Sequence, residues 1–117
     1  WLRDAVSRAV TGVRVNVRVL GTRFPDDTTH ADVYPPRPPA FGEAEGGNVG
    51  WTTGFWTGQL WLAYELTGQE AFRTAALAHV DSFEDRARRR VDTDHHGLGF
   101  LYTLSCVPAW RLTRDAR

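Results

Sequence analysis

Apolar positions along this chain follow several rhythms. Between residues 69 and 90, Phe72, Ala76, His79, Val80, Phe83 and Ala87 form one stripe, while Glu70, Arg73, Glu84, Arg86, Arg88, Arg89 and Arg90 lie away from it. That period predicts an amphipathic helix, and its basic last turn suits the negative end of the helix dipole. From 53 to 67, Phe55, Trp56, Leu60, Ala63, Tyr64 and Thr67 keep helical spacing, with Trp61, Leu62 and Leu66 on another side. A helix apolar nearly all round is expected to be buried on most faces, and Gly68 supplies its stop. Residues 1–19 fit two templates. Leu2, Val6, Ala9, Val10, Val13 and Val17 share a helical face, whereas Val13, Val15, Val17 and Val19 alternate with polar residues as a strand would. The helical pattern downstream decides for helix. A last helix is predicted from about 99 to 113, with a break or a late start near Ser105, because Pro108 removes a backbone donor.

The segments between are of two kinds. Pro25, the run Pro35-Pro36-Arg37-Pro38-Pro39 and Gly42, Gly46, Gly47 and Gly50 keep residues 21–50 out of regular structure. A stiff extended spacer accounts for such prolines better than a ligand for a proline-reading domain. A connection of this length is usually functional or disordered. Residues 91–97 turn the chain. The order helix, turn, helix, loop, helix predicts an all-α protein built of hairpins.

Composition narrows the classes. The formal net charge of the 117 residues is zero, so no global field gathers nucleic acid or an anionic membrane. Every basic residue is arginine, and Arg88-Arg89-Arg90 reads as a solvated helix end. A lone Cys106 forms no intrachain disulfide. No apolar run approaches a membrane span and no signal peptide is visible, so a cytoplasmic location is expected. The chain opens on Trp1, contains no Met, and ends at Leu112-Thr113-Arg114-Asp115-Ala116-Arg117 without a helix terminator. It is expected to be cut at both ends.

Candidate chemistry concentrates in two places. Trp51, Trp56 and Trp61 recur every five residues, which spreads the rings around a helix instead of lining them up. Trp61 reads as core; Trp51, at a loop-to-helix junction after glycines, is placed to stack on a sugar ring. His95-His96 admits a hydrogen-bonded turn satisfied by Asp92 or Asp94, a metal site with those aspartates, or an imidazole donating to a substrate hydroxyl or carboxylate. Adjacent histidines seldom both reach one ion, and no distant Cys/His pair completes a zinc pattern. His79, on an apolar stripe, reads as a satisfied core histidine. Cys106 beside a helix N-terminus near Ser105 would have a lowered pKa, but no His or Asn is placed to serve it.

Taken in order, Trp51, Gly54-Phe55-Trp56-Thr57-Gly58-Gln59-Leu60-Trp61, Thr67-Gly68, His79-Val80-Asp81-Ser82-Phe83, Asp94-His95-His96-Gly97-Leu98-Gly99-Phe100-Leu101-Tyr102 and Ser105-Cys106 closely resemble glycoside hydrolase family 88, the unsaturated glucuronyl hydrolases. The resemblance runs from about residue 20 to 113. It implies a partial (α/α)6 toroid of helical hairpins, of which this chain is an N-terminal portion. It implies no metal and no cofactor. The implied partner is an unsaturated uronate-containing oligosaccharide left by a polysaccharide lyase, with no nucleic acid or membrane. An acidic residue protonates the 4,5 double bond and helps add water to it. By the same resemblance Trp51 is an aromatic of the sugar subsite and His96 precedes the catalytic aspartate. That aspartate falls on Gly97, so the carboxylate is lost here, and a second one lies beyond Arg117. The chain is therefore expected to be inactive alone. A sugar-binding or structural helical remnant is the alternative. The DHH-type metal phosphoesterases, which share Asp94-His95-His96, fit poorly, since that motif follows a strand. Helices separated from a closed toroid expose apolar faces, so self-association is expected.

Overall fold

The computed structural model describes residues 1–114. Residues 115–117, which include most of the expected open C-terminal end, lie outside the described residues. Four helices and no strand form among them: α1 (Leu2–Leu20), α2 (Thr53–Thr67), α3 (Glu70–Arg89) and α4 (Leu98–Thr113). The expected all-α class holds. The ambiguous first segment is a single helix to Leu20, burying Val10 and Leu20 and half-burying Val6, Val13 and Val17, while Val15 and Val19 face out. Helical packing thus outweighs the β-branched alternation.

Gly68 ends α2 in the left-handed region (φ 66°), with its N–H bonded to the Tyr64 carbonyl. Left-handed backbone suits glycine because no Cβ meets the following carbonyl. Two residues later the chain turns back as α3, and α4 then packs against both. Leu60, Ala76, Val80, Phe83, Leu101 and Ala109 are fully buried between the three. Trp61 is core as expected, and its indole N–H donates to the Ser105 carbonyl at 2.8 Å.

Three expectations fail. α2 is not covered on most faces: Phe55, Gln59, Leu62 and Leu66 make an open side. α4 shows no break at Ser105 and continues through Pro108. Leu104 and Pro108 border an open groove, where water reaches the carbonyl that the proline leaves without a donor. Residues 21–50 are not an extended spacer. The Phe24 N–H bonds to Gly46 O at 2.9 Å, Arg37 N–H to Phe24 O at 2.9 Å and Gly46 N–H to Arg37 O at 2.7 Å, folding the segment on itself. Phe24 enters the core edge-on to His79 (4.6 Å between centroids) and Phe83 (5.7 Å).

His79 is the satisfied core histidine that its stripe predicted. Its Nδ1–H donates to the Ala75 carbonyl at 2.8 Å, which leaves Nε2 to accept from the Trp56 indole at 3.2 Å. Burial pushes its pKa below the usual 6.5. The unfolded chain then takes up this proton near 6.5 and the native chain only at lower pH, so stability falls as pH drops below 6.5. Thermal melts between pH 7.5 and 5 are expected to show that decline, and His79→Gln to flatten it. An equal slope in the variant would contradict the assignment.

Candidate active site

The two chemically suggestive segments meet because α2 and α4 cross closely at their N-termini. A Cβ on Gly54 would stand 2.5 Å from the Phe100 carbonyl and 2.7 Å from the Leu101 Cα. Only glycine lets the backbones approach so closely. Trp51, just before α2, is thereby set beside residues 95–97, just before α4. Trp51, Phe55 and Phe100 form an exposed aromatic group with centroids about 6 Å apart (6.0, 6.0 and 5.9 Å). Exposed aromatic rings are unusual on a solvated surface and suit stacking on the apolar face of a sugar.

Beneath this group lies Arg86, whose side chain is only 2% exposed. Its Nη1 donates to Asn48 Oδ1 (3.1 Å) and the Gly50 carbonyl (2.9 Å). Its Nη2 donates to the Asp92 carbonyl (2.7 Å) and carboxylate (3.0 Å), and its Nε to the Val91 carbonyl (3.1 Å). Asp92 Oδ2 also accepts the Gly50 N–H at 2.6 Å. One buried guanidinium thus ties the segment that carries Trp51 to the turn that carries the histidines. Burial lowers its pKa and the Asp92 carboxylate opposes that shift. The fork of an arginine suits this convergence of acceptors.

The sequence pattern placed Arg86 among the solvated arginines and Ala87 on the core stripe. The structure reverses them: Arg86 is buried and Ala87 exposed. The signal was the spacing of Phe72, Ala76, His79 and Phe83, which continues by three residues to 86. Charge argued against it, and only the acceptors of distant segments make burial affordable.

The paired histidines separate in role. His95 is the hydrogen-bonded one: Nδ1 accepts the Gly97 N–H at 3.0 Å, and Nε2 lies 4.0 Å from Asp92 Oδ1 and 3.3 Å from Arg86 Nη2. With Nδ1 accepting, the ring carries its proton on Nε2, facing Asp92. His96 and Asp94 are exposed. Gly97, in contrast, is buried at the start of α4, with helix-compatible backbone (φ −78°, ψ 0°). A Cβ there would lie 2.7 Å from the Trp51 Cβ and 2.9 Å from His95 Nδ1. Trp51 and His95 therefore sit close over this residue.

Two further sequence readings change. Cys106 lies inside α4, not at a helix start, and burial raises its pKa, which keeps it a thiol. A helix, α3, precedes Asp94-His95-His96 where a DHH-type phosphoesterase has a strand. Among the described residues no three His, Cys, Asp or Glu side chains converge as metal ligands.

No family model matches the chain. It is 40% identical to an unsaturated chondroitin disaccharide hydrolase of Streptococcus pneumoniae, over 96% of this chain and 26% of that protein. It is 36% identical to an unsaturated glucuronyl hydrolase of Bacillus sp. strain GL1, over 97% of this chain and 28% of the relative. Among solved structures, a mutant unsaturated glucuronyl hydrolase of Streptococcus agalactiae complexed with dGlcA-GalNAc6S matches with a TM-score of 0.85 and 35% identity, over 97% of this chain and 28% of that one. The chain spans about a quarter of the length of the relatives it matches.

Proposed function

We propose that this chain, which belongs with the unsaturated glucuronyl hydrolases over the quarter of their length that it spans, is the N-terminal portion of an (α/α)6 toroid. The complete protein would take lyase-generated oligosaccharides with a 4,5-unsaturated uronic acid at the non-reducing end. In this reading Trp51 is the platform for that sugar and His96 donates to it. The chain binds and does no chemistry, because Gly97 stands where protonation of the double bond needs an acid. The observation that carries this is the burial of Gly97 under Trp51 and His95. The nearest acid along the chain, Asp94, is exposed three residues away, and about 1 Å of misplacement can cost ~100-fold in rate. A cytoplasmic location is part of the same proposal.

The test is a titration of the chain with an unsaturated chondroitin disaccharide, followed by calorimetry and by the ultraviolet absorbance of the conjugated double bond. Binding is expected while the absorbance persists. Trp51→Ala and His96→Ala are each expected to weaken binding about tenfold, the scale of one stacking or hydrogen-bonding contact. Loss of absorbance with Gly97 in place would assign the acid to another residue. Equal binding by both variants would move the sugar elsewhere.

The open sides of α2 and α4, with Leu62, Leu66, Val107 and Trp110 exposed, make self-association part of the proposal. Light scattering is expected to give a mass that rises with concentration. A fixed monomer mass would contradict it.

A further inference from the structure

Trp51 borders more than the Gly97 turn. A cleft of about 310 Å³ opens between α1, α2 and residues 25–34, with Trp51 and Phe55 as its aromatic wall and Asn16, Asp26, Asp27 and Gln59 among its polar groups. That volume is at the lower end for small-ligand sites, and aromatic faces beside carboxylates and amides match the apolar ring faces and hydroxyls of a pyranose.

The carboxylates are held in place. Arg37, its side chain 8% exposed, approaches Asp27 Oδ2 with Nη1 at 3.7 Å and donates from Nη2 to the Thr52 hydroxyl, next to Trp51. The Asp26 N–H is tied to the Pro35 carbonyl at 2.8 Å, and its Oδ1 accepts the Asp27 N–H at 2.9 Å. Two acids therefore face a sugar-sized space that shares Trp51 with the turn over Gly97.

We propose that this cleft takes the sugar next to the unsaturated uronate, and that Asp26 and Asp27 select an uncharged or amino sugar there over a sulfated one. This rests on the reading that Trp51 carries the uronate. The hydroxyls of an uncharged unit donate to the carboxylates, and an ammonium group pairs with them. A sulfate at the same point meets like charge, which disfavours it by about three- to tenfold at low salt. Salt screens the difference.

The experiment compares dGlcA-GalNAc with dGlcA-GalNAc6S by calorimetric titration of the chain at low ionic strength, in the wild type, Asp26→Asn, Asp27→Asn and His96→Ala. The unsulfated disaccharide is expected to bind several-fold tighter. Asp26→Asn is expected to shrink that ratio, Asp27→Asn to shrink it where a melt shows the fold retained, and His96→Ala to weaken both ligands equally. A ratio near one in the wild type, or one unchanged by Asp26→Asn, overturns the selectivity and leaves the uronate reading standing if His96→Ala still weakens binding. No heat with either disaccharide overturns both.

Discussion

Gly97→Asp, in a protein spanning the full length of the relatives, is expected to create turnover where the glycine form has none. General acid–base assistance contributes about 10²–10⁴-fold, so loss of the double-bond absorbance should become measurable at least ~100-fold above the Gly97 protein. The backbone raises no objection, because φ −78° and ψ 0° suit any residue. Sterics do object. The new Cβ would lie 2.7 Å from the Trp51 Cβ and 2.9 Å from the His95 ring. Both contacts are shorter than packed carbon allows, so Trp51 or His95 must move by several tenths of an ångström. Overpacking of this kind costs about 1–3 kcal/mol, and a lower melting temperature is expected beside the gained activity. Adding Trp51→Ala to Gly97→Asp separates the two effects. It should recover stability by removing the bulk over the site, and lose activity by removing the platform. An Asp variant that melts lower and turns nothing over would mean that Gly97 is not the inactivating residue.

Arg86→Met is expected to be the most destabilising single change. It leaves the Asp92 carboxylate, which is 13% exposed, without its cation, and deprives the carbonyls of Gly50, Val91 and Asp92 of a donor. Removing one partner of a buried pair costs about 3–5 kcal/mol, a large share of the roughly 5–15 kcal/mol that holds a domain together. Asp92 has φ 45°, a region that asparagine tolerates, so Arg86→Met with Asp92→Asn is expected to regain part of the loss. Chemical denaturation of the two single variants and the double variant gives the coupling. Arg86→Lys should fall between wild type and Met, since an ammonium cannot span the same acceptors. If Arg86→Met unfolds at the wild-type denaturant concentration, the clamp does not hold these segments together.

Much of this was legible in the sequence because it depends on local spacing. The stripe of α3, the stop at Gly68, the core role of Trp61 and the lone His79 each follow from periodicity or from the conformation of one residue. The identity of Gly97 at a position where the resemblance expects an acid is also a fact of sequence alone. Residues far apart in the chain settled the rest. Arg86 goes inside because Asn48 and Gly50 from one segment and Asp92 from another supply its acceptors, and no periodicity encodes that convergence. The proline-rich segment folds because Phe24 finds a place between His79 and Phe83. α4 runs through Pro108 because the neighbouring groove leaves that side open. Gly54 reads in sequence as a weak helical position, yet it brings α2 against α4 and so sets Trp51 over Gly97. Local propensity fixed the helices and the missing carboxylate, while packing between distant segments decided which side chains surround the place where it would stand.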